Sequence, residues 1–227
     1  MSSPDLTILA DLAQLRQVAY RLFASLFLYP DEERLATLAE VAGALQEQRH
    51  LLPALASSGA WQRLLAGLTT PGGCPPVAEM QPEYIRLFVV SPGGVPCPPY
   101  ESCYVEAGGR VTGWLLVEVE QHYAAAGLAL APSLGELPDH VAVELEFMSY
   151  LCGRAASECE AGRVGDSLQW LHLQLAFLRE HLGRWFPNLA RRVTGADTQG
   201  FYALVAEATQ DLVEHDRALL QEMLGHA

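Results

Sequence analysis

The feature that most constrains the fold of this chain is the spacing of its apolar residues. They recur every three or four positions along most of the sequence, and this is the period of a helix with one buried side. No stretch alternates apolar and polar residues over a length that would predict a strand. The sequence therefore predicts an all-α fold, with roughly eight or more helices in a single domain over residues 1–227.

Proline, glycine and acidic residues mark the ends of these helices. We expect Pro82 to begin one helix and Phe186-Pro187 to end another, because proline lacks the amide hydrogen that a helix interior requires. Residues 91–113 are rich in proline and glycine, so we expect a long loop there. It would separate an N-terminal helical half, about 1–90, from a C-terminal half, about 114–227. The predicted helices span about 3–28, 31–49, a short segment around Trp61, 82–90, 114–126, 138–161, 167–185 and 198–224.

The charge of the chain excludes several functions. Its 27 acidic residues outnumber 14 basic ones, for a net charge of −13, and every basic residue is an arginine. Without lysine the chain has neither a P-loop nor a Schiff-base nucleophile. Nucleic acid is a poor partner, because this chain would repel its phosphates. A cationic partner would instead be attracted by a field of this sign.

The cysteines and the N-terminus predict a cytoplasmic protein. The five cysteines form no CxxC pair, which is typical of reduced thiols rather than of a disulfide framework or a zinc site. The N-terminus begins acidic, and Asp11 and Arg16 interrupt its apolar run. We therefore expect neither export nor membrane insertion.

A first candidate site lies in the segment EYIRLF. Tyr84, Leu87 and Phe88 fall at positions i, i+3 and i+4, so they share one face of a helix. One interpretation is an ordinary core seam. The other is an aromatic anchor that lines a groove for an apolar segment of a partner.

A second candidate site lies around the segment GELPDHVAVELEFM. His140 and Glu144 are one helical turn apart, and Asp139 and Glu146 are two turns apart, beside an apolar stripe. Carboxylates in that arrangement would receive arginine guanidinium groups. The alternative is that Asp139 only serves as helix-start chemistry.

Metal and hydrolase motifs are weak in this chain. A di-iron bundle uses Glu-x-x-His pairs, whereas Glu118 and His122, and also Glu136 and His140, are separated by three residues. Neither HExxH nor GxSxG occurs. A helical metal- or small-molecule-binding enzyme that uses His122, His140 and nearby acids remains the alternative function, and we expect no cofactor.

The segment PCPPYESCY, residues 96–104, is too rich in proline to be helical throughout. Pro98-Pro99 fixes φ at two successive positions, so we expect an extended chain that costs little entropy to order. It would present Tyr100, Glu101 and Tyr104 beside the face of Tyr84 as one wall of a peptide groove. The alternative is a plain turn that packs its tyrosines into the core.

Three segments in this order resemble the TorD/DmsD/NarJ family of cytoplasmic chaperones for molybdenum-containing respiratory oxidoreductases. They are Leu26–Pro30, then Arg86–Phe88 followed closely by Pro96–Tyr104, then Glu136–His140. The C-terminal part agrees, with His181-Leu182 before Trp185-Phe186-Pro187 and with Phe201-Tyr202 opening the last helix. The resemblance covers nearly the whole chain.

The resemblance implies an all-helical fold of the TorD-like type without catalytic activity. Family members bind the twin-arginine signal peptide, or another N-terminal segment, of a catalytic subunit, hold it during molybdenum cofactor insertion and delay its export. Asp139 and His140 fall on the family's Asp-His pair. Tyr84, Tyr100 and Tyr104 fall where some relatives carry tryptophan, and Glu101 falls where others carry glycine. We expect a monomer or a homodimer.

Chemistry and resemblance agree on the partner. A twin-arginine signal is a pair of guanidinium groups before an apolar stretch, and an acidic body with an apolar groove suits it. A structural subunit of a respiratory complex is a further alternative. Weak GTP binding, reported for some relatives, is not predicted without a P-loop or lysine. The predicted binding residues are Tyr84, Leu87, Phe88, Tyr100, Glu101, Tyr104, Asp139, His140, Glu144 and Glu146.

Overall fold

The computed structural model describes residues 3–105, 113–131 and 135–225, and it is predominantly helical. Within these residues no strand is present, and Tyr100 and His140 form an isolated antiparallel bridge. The all-α prediction is confirmed. The α-helices are α1 Ser3–Leu26, α2 Glu32–Glu47, α3 Pro53–Ala56, α4 Gly59–Thr69, α5 Val77–Tyr84, α6 Ser102–Val105, α7 Gly113–Ala125, α8 Val141–Glu160, α9 Val164–Glu180, α10 Leu182–Ala196 and α11 Phe201–Gly225.

The central element of the core is α8. It packs along α1 on one side and α9 on the other, while α10 packs on α11 and α2 packs on α4. A Cβ added at Gly153 of α8 would lie 2.7 Å from the terminal amide of Gln17, so a larger residue there would require this side chain of α1 to move. Helices from both sides of the proline-rich loop therefore share one core.

A buried ion pair ties α1 to α11. The guanidinium group of Arg16 binds both carboxylate oxygens of Asp216, and its Nη2 also donates to Gln174 Oε1 at 2.5 Å. The hydroxyl of Tyr20 donates to Asp216 Oδ2 at 2.7 Å. We call Arg16, Tyr20, Gln174 and Asp216 the Arg16 cluster. Both charged groups are almost completely buried, and each makes more than one hydrogen bond within the cluster.

Several helix boundaries differ from the predicted ones. Pro82 lies inside α5, which begins at Val77, and Pro187 lies inside α10. The prediction that these prolines begin and end helices is wrong, because the apolar stripe on each side of them keeps the segment packed on the core. The break instead falls at His181, between α9 and α10.

The predicted loop, residues 91–113, is only partly loop. It contains the short helix α6, and residues 106–112 lie outside the described part of the chain. All five cysteines are free. In the described ranges, no helix is both long and apolar enough to cross a membrane.

Candidate functional site

The PCPPYESCY segment is fixed to the start of α8 by backbone hydrogen bonds. The amide of Glu101 donates to the carbonyl of Asp139 at 3.0 Å, and the amide of Val141 donates to the carbonyl of Pro99 at 2.9 Å. At the other end, the amide of Cys97 donates to the carbonyl of Leu87 at 3.0 Å. The structure thus brings together the segments that the sequence singled out, at one junction.

The EYIRLF residues support this junction from within. Leu87 and Phe88 are buried, and the ring of Phe88 lies 6.2 Å from that of Phe27 and 5.4 Å from that of Tyr202. The hydroxyl of Tyr84 donates to the carbonyl of Phe27 at 3.1 Å. Their side chains lie where the core-seam interpretation places them, with the ring of Tyr84 nearest the surface.

Exposed apolar side chains surround these buried ones, and sequence reasoning missed them. A single π-helical turn, Ile85–Val89, follows α5 and is closed by the amide of Val90 donating to the carbonyl of Ile85 at 2.9 Å. Val89 is 54% exposed and Val90 is 64% exposed, and Tyr29, at 45%, packs edge-on against Tyr84. We call Tyr29, Ile85, Val89, Val90 and Leu137 the apolar face. The π turn is a common feature of functional sites.

One exposed carboxylate adjoins the apolar face. Glu136 is exposed, and the hydroxyl of the half-buried Tyr100 donates to its Oε2 at 3.0 Å. Burial first, and then the Glu136 carboxylate, raises the pKa of Tyr84 to about 12. Burial and the same carboxylate raise the pKa of Tyr100 as well. Glu136 therefore lies close to both tyrosines and accepts a hydrogen bond from one of them.

The other predicted acids are not arranged as expected. Glu101, Asp139 and Glu144 are each 0% exposed. Asp139 lies before the N-cap of α8 rather than on the helix, so the expected charged stripe through Asp139 and Glu146 is wrong. Glu146 is exposed and borders a separate cavity of 380 Å³ together with Arg21.

The buried acids form a cluster that is short of hydrogen-bond donors. The indole Nε1 of Trp185 donates to Glu144 Oε2 at 2.8 Å, Nδ1 of His181 lies 2.9 Å from Glu101 Oε2, and the amide of Ser102 donates to Asp139 Oδ2 at 3.0 Å. We call Glu101, Asp139 and Glu144 the carboxyl cluster. Among the described residues, the buried side-chain atoms without a hydrogen-bond partner are Glu101 Oε1, Ser102 Oγ, Tyr104 OH, Asp139 Oδ1 and Glu144 Oε1.

Burial lowers the pKa of two histidines, His140 and His122, and so favours their neutral forms. His140 is the N-cap of α8, and its Nδ1 accepts a hydrogen bond from the amide of Ala142 at 3.1 Å. Burial lowers the pKa of His140. Burial and the neighbouring His181 lower the pKa of His122, which lies 3.1 Å from Glu180 Oε2.

A metal site has no support in the described part of the chain. No group of three or more His, Cys, Asp or Glu side chains there is arranged to hold an ion.

Tyr104 is the last of the predicted aromatic binding residues. The guanidinium group of Arg192 lies over its ring, 4.8 Å from the ring centre, and the ring packs on Trp185. The junction therefore offers an apolar surface, one exposed acid and a buried layer of acids behind them, which suits binding rather than catalysis.

Known proteins with similar sequences and structures place the chain in a family. The sequence matches the family model described as nitrate reductase delta subunit over residues 30–191. It is 31% identical over 166 residues to the selenate reductase assembly chaperone protein of Thauera selenatis, covering 73% of this chain and 82% of that protein. The chaperone protein TorD of Vibrio cholerae is 27% identical over 145 residues, and the match spans 64% of each chain, a little under two thirds of the relative's length.

A solved structure agrees. A crystal structure from Archaeoglobus fulgidus, described as a redox enzyme maturation protein, superposes with a TM-score of 0.55 at 25% identity, covering 87% of this chain and 93% of that one. The chain therefore belongs to the nitrate reductase delta subunit family, whose TorD/NarJ-type members are assembly chaperones, and it is a chaperone rather than an enzyme.

Proposed function

We propose that this protein binds the N-terminal, twin-arginine type signal and the apo form of the catalytic subunit of a molybdenum-containing oxidoreductase. It assists molybdenum cofactor insertion and delays export of that subunit from the cytoplasm until maturation is complete. The relatives named as assembly chaperones of selenate reductase and chlorate reductase support a reductase as the client.

The observation that carries this proposal is the apolar face next to Glu136. An exposed apolar surface of this kind on a soluble chain marks an interaction site, and here it holds three aliphatic side chains on and after one π turn. The guanidinium groups that precede the apolar stretch of a signal would meet the Glu136 carboxylate in a charge-assisted hydrogen bond. Asp139, Glu101 and Glu144 have no exposed surface, so they act in this proposal by holding the segment that carries Tyr100.

The whole chain favours the same partner through its charge. A net charge of −13 attracts a cationic segment over long range and would mainly raise the association rate. The arginine pair of the signal is thus guided toward a surface where an apolar stretch can also be buried. Both parts of the signal have a counterpart at the junction.

Calorimetric titration with synthetic twin-arginine signal peptides from the same organism tests the proposal. We expect binding at low salt that weakens as salt is added, because the charged contacts are screened. Val89→Ser should weaken binding about fivefold to tenfold, which corresponds to about 1 kcal/mol of lost apolar burial. Val117→Ser on α7 is the matched control, since Val117 is 50% exposed but lies outside the apolar face.

Two outcomes would contradict the proposal. One is that none of the signal peptides binds at low salt. The other is that Val89→Ser and Val117→Ser weaken binding equally, which would place the docking surface elsewhere. A peptide in which both arginines are replaced by glutamine should bind more weakly to the wild type and show a smaller dependence on salt.

A further inference from the structure

The carboxyl cluster contains two acids that cannot both be ionised at low cost. The side chains of Glu101 and Glu144 lie within hydrogen-bonding range of each other, and both are completely buried. Two carboxylates in contact have only acceptor oxygens, so no hydrogen bond joins them unless one carries a proton. Within this pair, Glu101 Oε1 and Glu144 Oε1 have no hydrogen-bond partner among the described residues.

The surroundings favour the proton on Glu144. Burial first, and then the charge of Glu101, raises the pKa of Glu144 well above its usual range, while the indole of Trp185 lowers it. The other carboxyl oxygen of Glu101, Oε2, already has a hydrogen-bond partner in Nδ1 of His181. A protonated Glu144 accepts from Trp185 through Oε2 and donates to Glu101 through Oε1. Both unpartnered oxygens are then satisfied.

The position of the pair gives this proton a structural role. Glu101 belongs to the segment 97–105, which carries Tyr100 and Tyr104, whereas Glu144 belongs to α8 and Trp185 to α10. The shared proton is therefore one of the side-chain links between this segment and the helices behind it, next to the contact of Glu101 with His181 and the hydrogen bond from the amide of Ser102 to Asp139. The neighbouring links are backbone hydrogen bonds to Asp139 and Val141 and the ring contact between Tyr104 and Trp185.

We propose that Glu101 and Glu144 share one proton, and that this proton is the latch that holds the segment 97–105 in its binding position against α8 and α10. Glu144 is a positioning residue that acts through Glu101 and Tyr100. The inference rests on the proposed function only for its effect on client affinity. The latch itself is a property of the chain alone.

Other charged and titratable groups face the pair from every side. Asp139, which precedes α8, adds negative charge and opposes loss of the proton. Tyr123 of α7 is neutral, because burial and these same acids raise its pKa. His181, between α9 and α10, faces Glu101, and beyond it His122 of α7 contacts Glu180 of α9. On the α10 side, Arg192 lies over the ring of Tyr104 rather than against either acid.

The direction of the pH effect follows from these groups. Loss of the proton leaves two buried like charges in contact, and Asp139 adds to their repulsion. The docked segment is therefore most stable below about pH 4.5, the ordinary pKa of a glutamate, and it loses stability as the pH rises from there toward the value at which the docked Glu144 ionises. We expect the affinity for the client to fall over the same range, because Tyr100 leaves its position beside Glu136.

Infrared spectroscopy of the full chain tests the proton directly. At about pH 7, where ordinary carboxyl groups are ionised, the wild type should show the carbonyl stretch of a protonated carboxylic acid, and this band should shift in deuterium oxide. Glu144→Gln should lack the band, because the amide replaces the protonated acid with the same donor and acceptor pattern. Glu146→Gln, an exposed neighbour on the same helix, should retain it. A wild type without the band, or a Glu144→Gln protein that keeps it, would overturn the proposal.

Amide hydrogen exchange tests the latch. Corrected for intrinsic rates, exchange in residues 97–105 should increase about tenfold or more in the wild type between about pH 6 and about pH 9, since one pH unit of linkage corresponds to a factor of ten. Glu144→Gln should remain protected across this range. Equal pH dependence in both proteins would refute the latch.

A wild-type measurement covers the case in which Glu144→Gln fails to fold. The indole Nε1–H of Trp185 donates to Glu144 Oε2, so its nuclear magnetic resonance signal, assigned through bonds, should move in one step as the pH is raised through the value at which Glu144 ionises. A signal that stays fixed would count against the proposal. None of these readouts uses a client, so they distinguish failure of the latch from failure of signal binding.

Discussion

The molecule buries two polar clusters in its apolar core, and they are built in opposite ways. The Arg16 cluster pairs opposite charges between α1 and α11, and each charged group has several partners. The carboxyl cluster gathers charges of one sign beside the apolar face and leaves oxygen atoms without donors. The first resembles a fixed tie between helices. The second depends on a proton, and it lies where the chain presents its candidate binding surface.

This difference is the reason why we assign a structural role to the Arg16 cluster and propose a functional role for the carboxyl cluster. Unsatisfied buried groups are rare in native proteins and tend to mark places where packing has been compromised for function. Burial alone would not have made the distinction, since Asp216 and Asp139 are both nearly inaccessible. The two clusters are distinguished by the number of hydrogen-bond partners of each acid and by the charge of those partners.

Removal of Asp216 should produce the largest effect. Asp216→Ala leaves the guanidinium group of Arg16 buried without a counter-charge, which typically costs about 3–5 kcal/mol of unfolding free energy. Urea denaturation measures it, and Glu207→Ala, which removes a surface ion pair on the same helix, should cost less than about 1 kcal/mol. If the two variants were equally stable, the Arg16 cluster would not be a structural tie.

Glu83, a carboxylate outside both clusters, sharpens the comparison through its response to acid. The Glu83 carboxylate accepts hydrogen bonds from Arg86 and from the amide of Thr198. The Arg86 guanidinium group, and to a smaller extent Thr198, lowers the pKa of Glu83 to about 2. Its contribution to stability is therefore present above about pH 4.5 and is lost as the pH falls toward about 2. The carboxyl cluster responds in the opposite direction, to alkali.

Glu83→Gln should lower the unfolding free energy by about 1.5 kcal/mol at neutral pH and flatten the acid side of the stability profile. Denaturation midpoints measured from about pH 7 down to about pH 2 compare it with the wild type. Asp31→Asn, at the N-cap of α2, is a control that keeps its capping acceptor. An acid profile unchanged in Glu83→Gln would show that Glu83 is not held in its ionised form.

His140 tests the boundary between the carboxyl cluster and α8. His140→Ala removes the acceptor for the amide of Ala142 and should cost about 1 kcal/mol, as for other N-caps. His140→Asn should restore most of this loss, since asparagine is among the best N-cap residues. Thermal unfolding of both variants gives the difference, and an equal loss in both would mean that packing rather than capping is what His140 provides.

Glu136 should give the smallest stability effect of the series. Glu136→Gln keeps an acceptor for the hydroxyl of Tyr100 at the surface, so the unfolding free energy should change by less than about 0.5 kcal/mol. Binding of a twin-arginine peptide should nevertheless weaken and lose part of its salt dependence. Unchanged affinity and salt slope would remove Glu136 from the proposed site.

The sequence predicted the helical class well, because the spacing of apolar residues depends on which side of each helix is buried. It failed at Pro187, since the apolar residues on both sides of this proline hold α10 together despite the lost hydrogen bond. It also placed Asp139 on a helix face, although His140 caps α8 one residue later. The exposure of Val89 could not be predicted, because a π turn shifts the register by one residue and no local residue type announces it.

The sequence singled out the segments that meet at the junction, but it did not predict how they contact one another. PCPPYESCY and GELPDH drew attention through proline, acids and aromatic residues, but their pairing depends on two backbone hydrogen bonds between residues about 40 positions apart. Whether an acid faces water or the core is a matter of tertiary packing. The sequence therefore does not show that Glu136 is exposed at the junction whereas Glu144 is completely buried.

The Arg16–Asp216 pair also has a consequence for the order in which the protein assembles. Its two members are 200 positions apart in the chain, so a ribosome makes α1 long before it makes the counter-charge for Arg16. Until α11 emerges, α1 carries a guanidinium group that burial would penalise, and its packing onto α8 stays incomplete. We therefore expect the core to close late in synthesis, after α11 has been made, so that a chaperone devoted to the maturation of another protein itself matures only after translation of its last long helix.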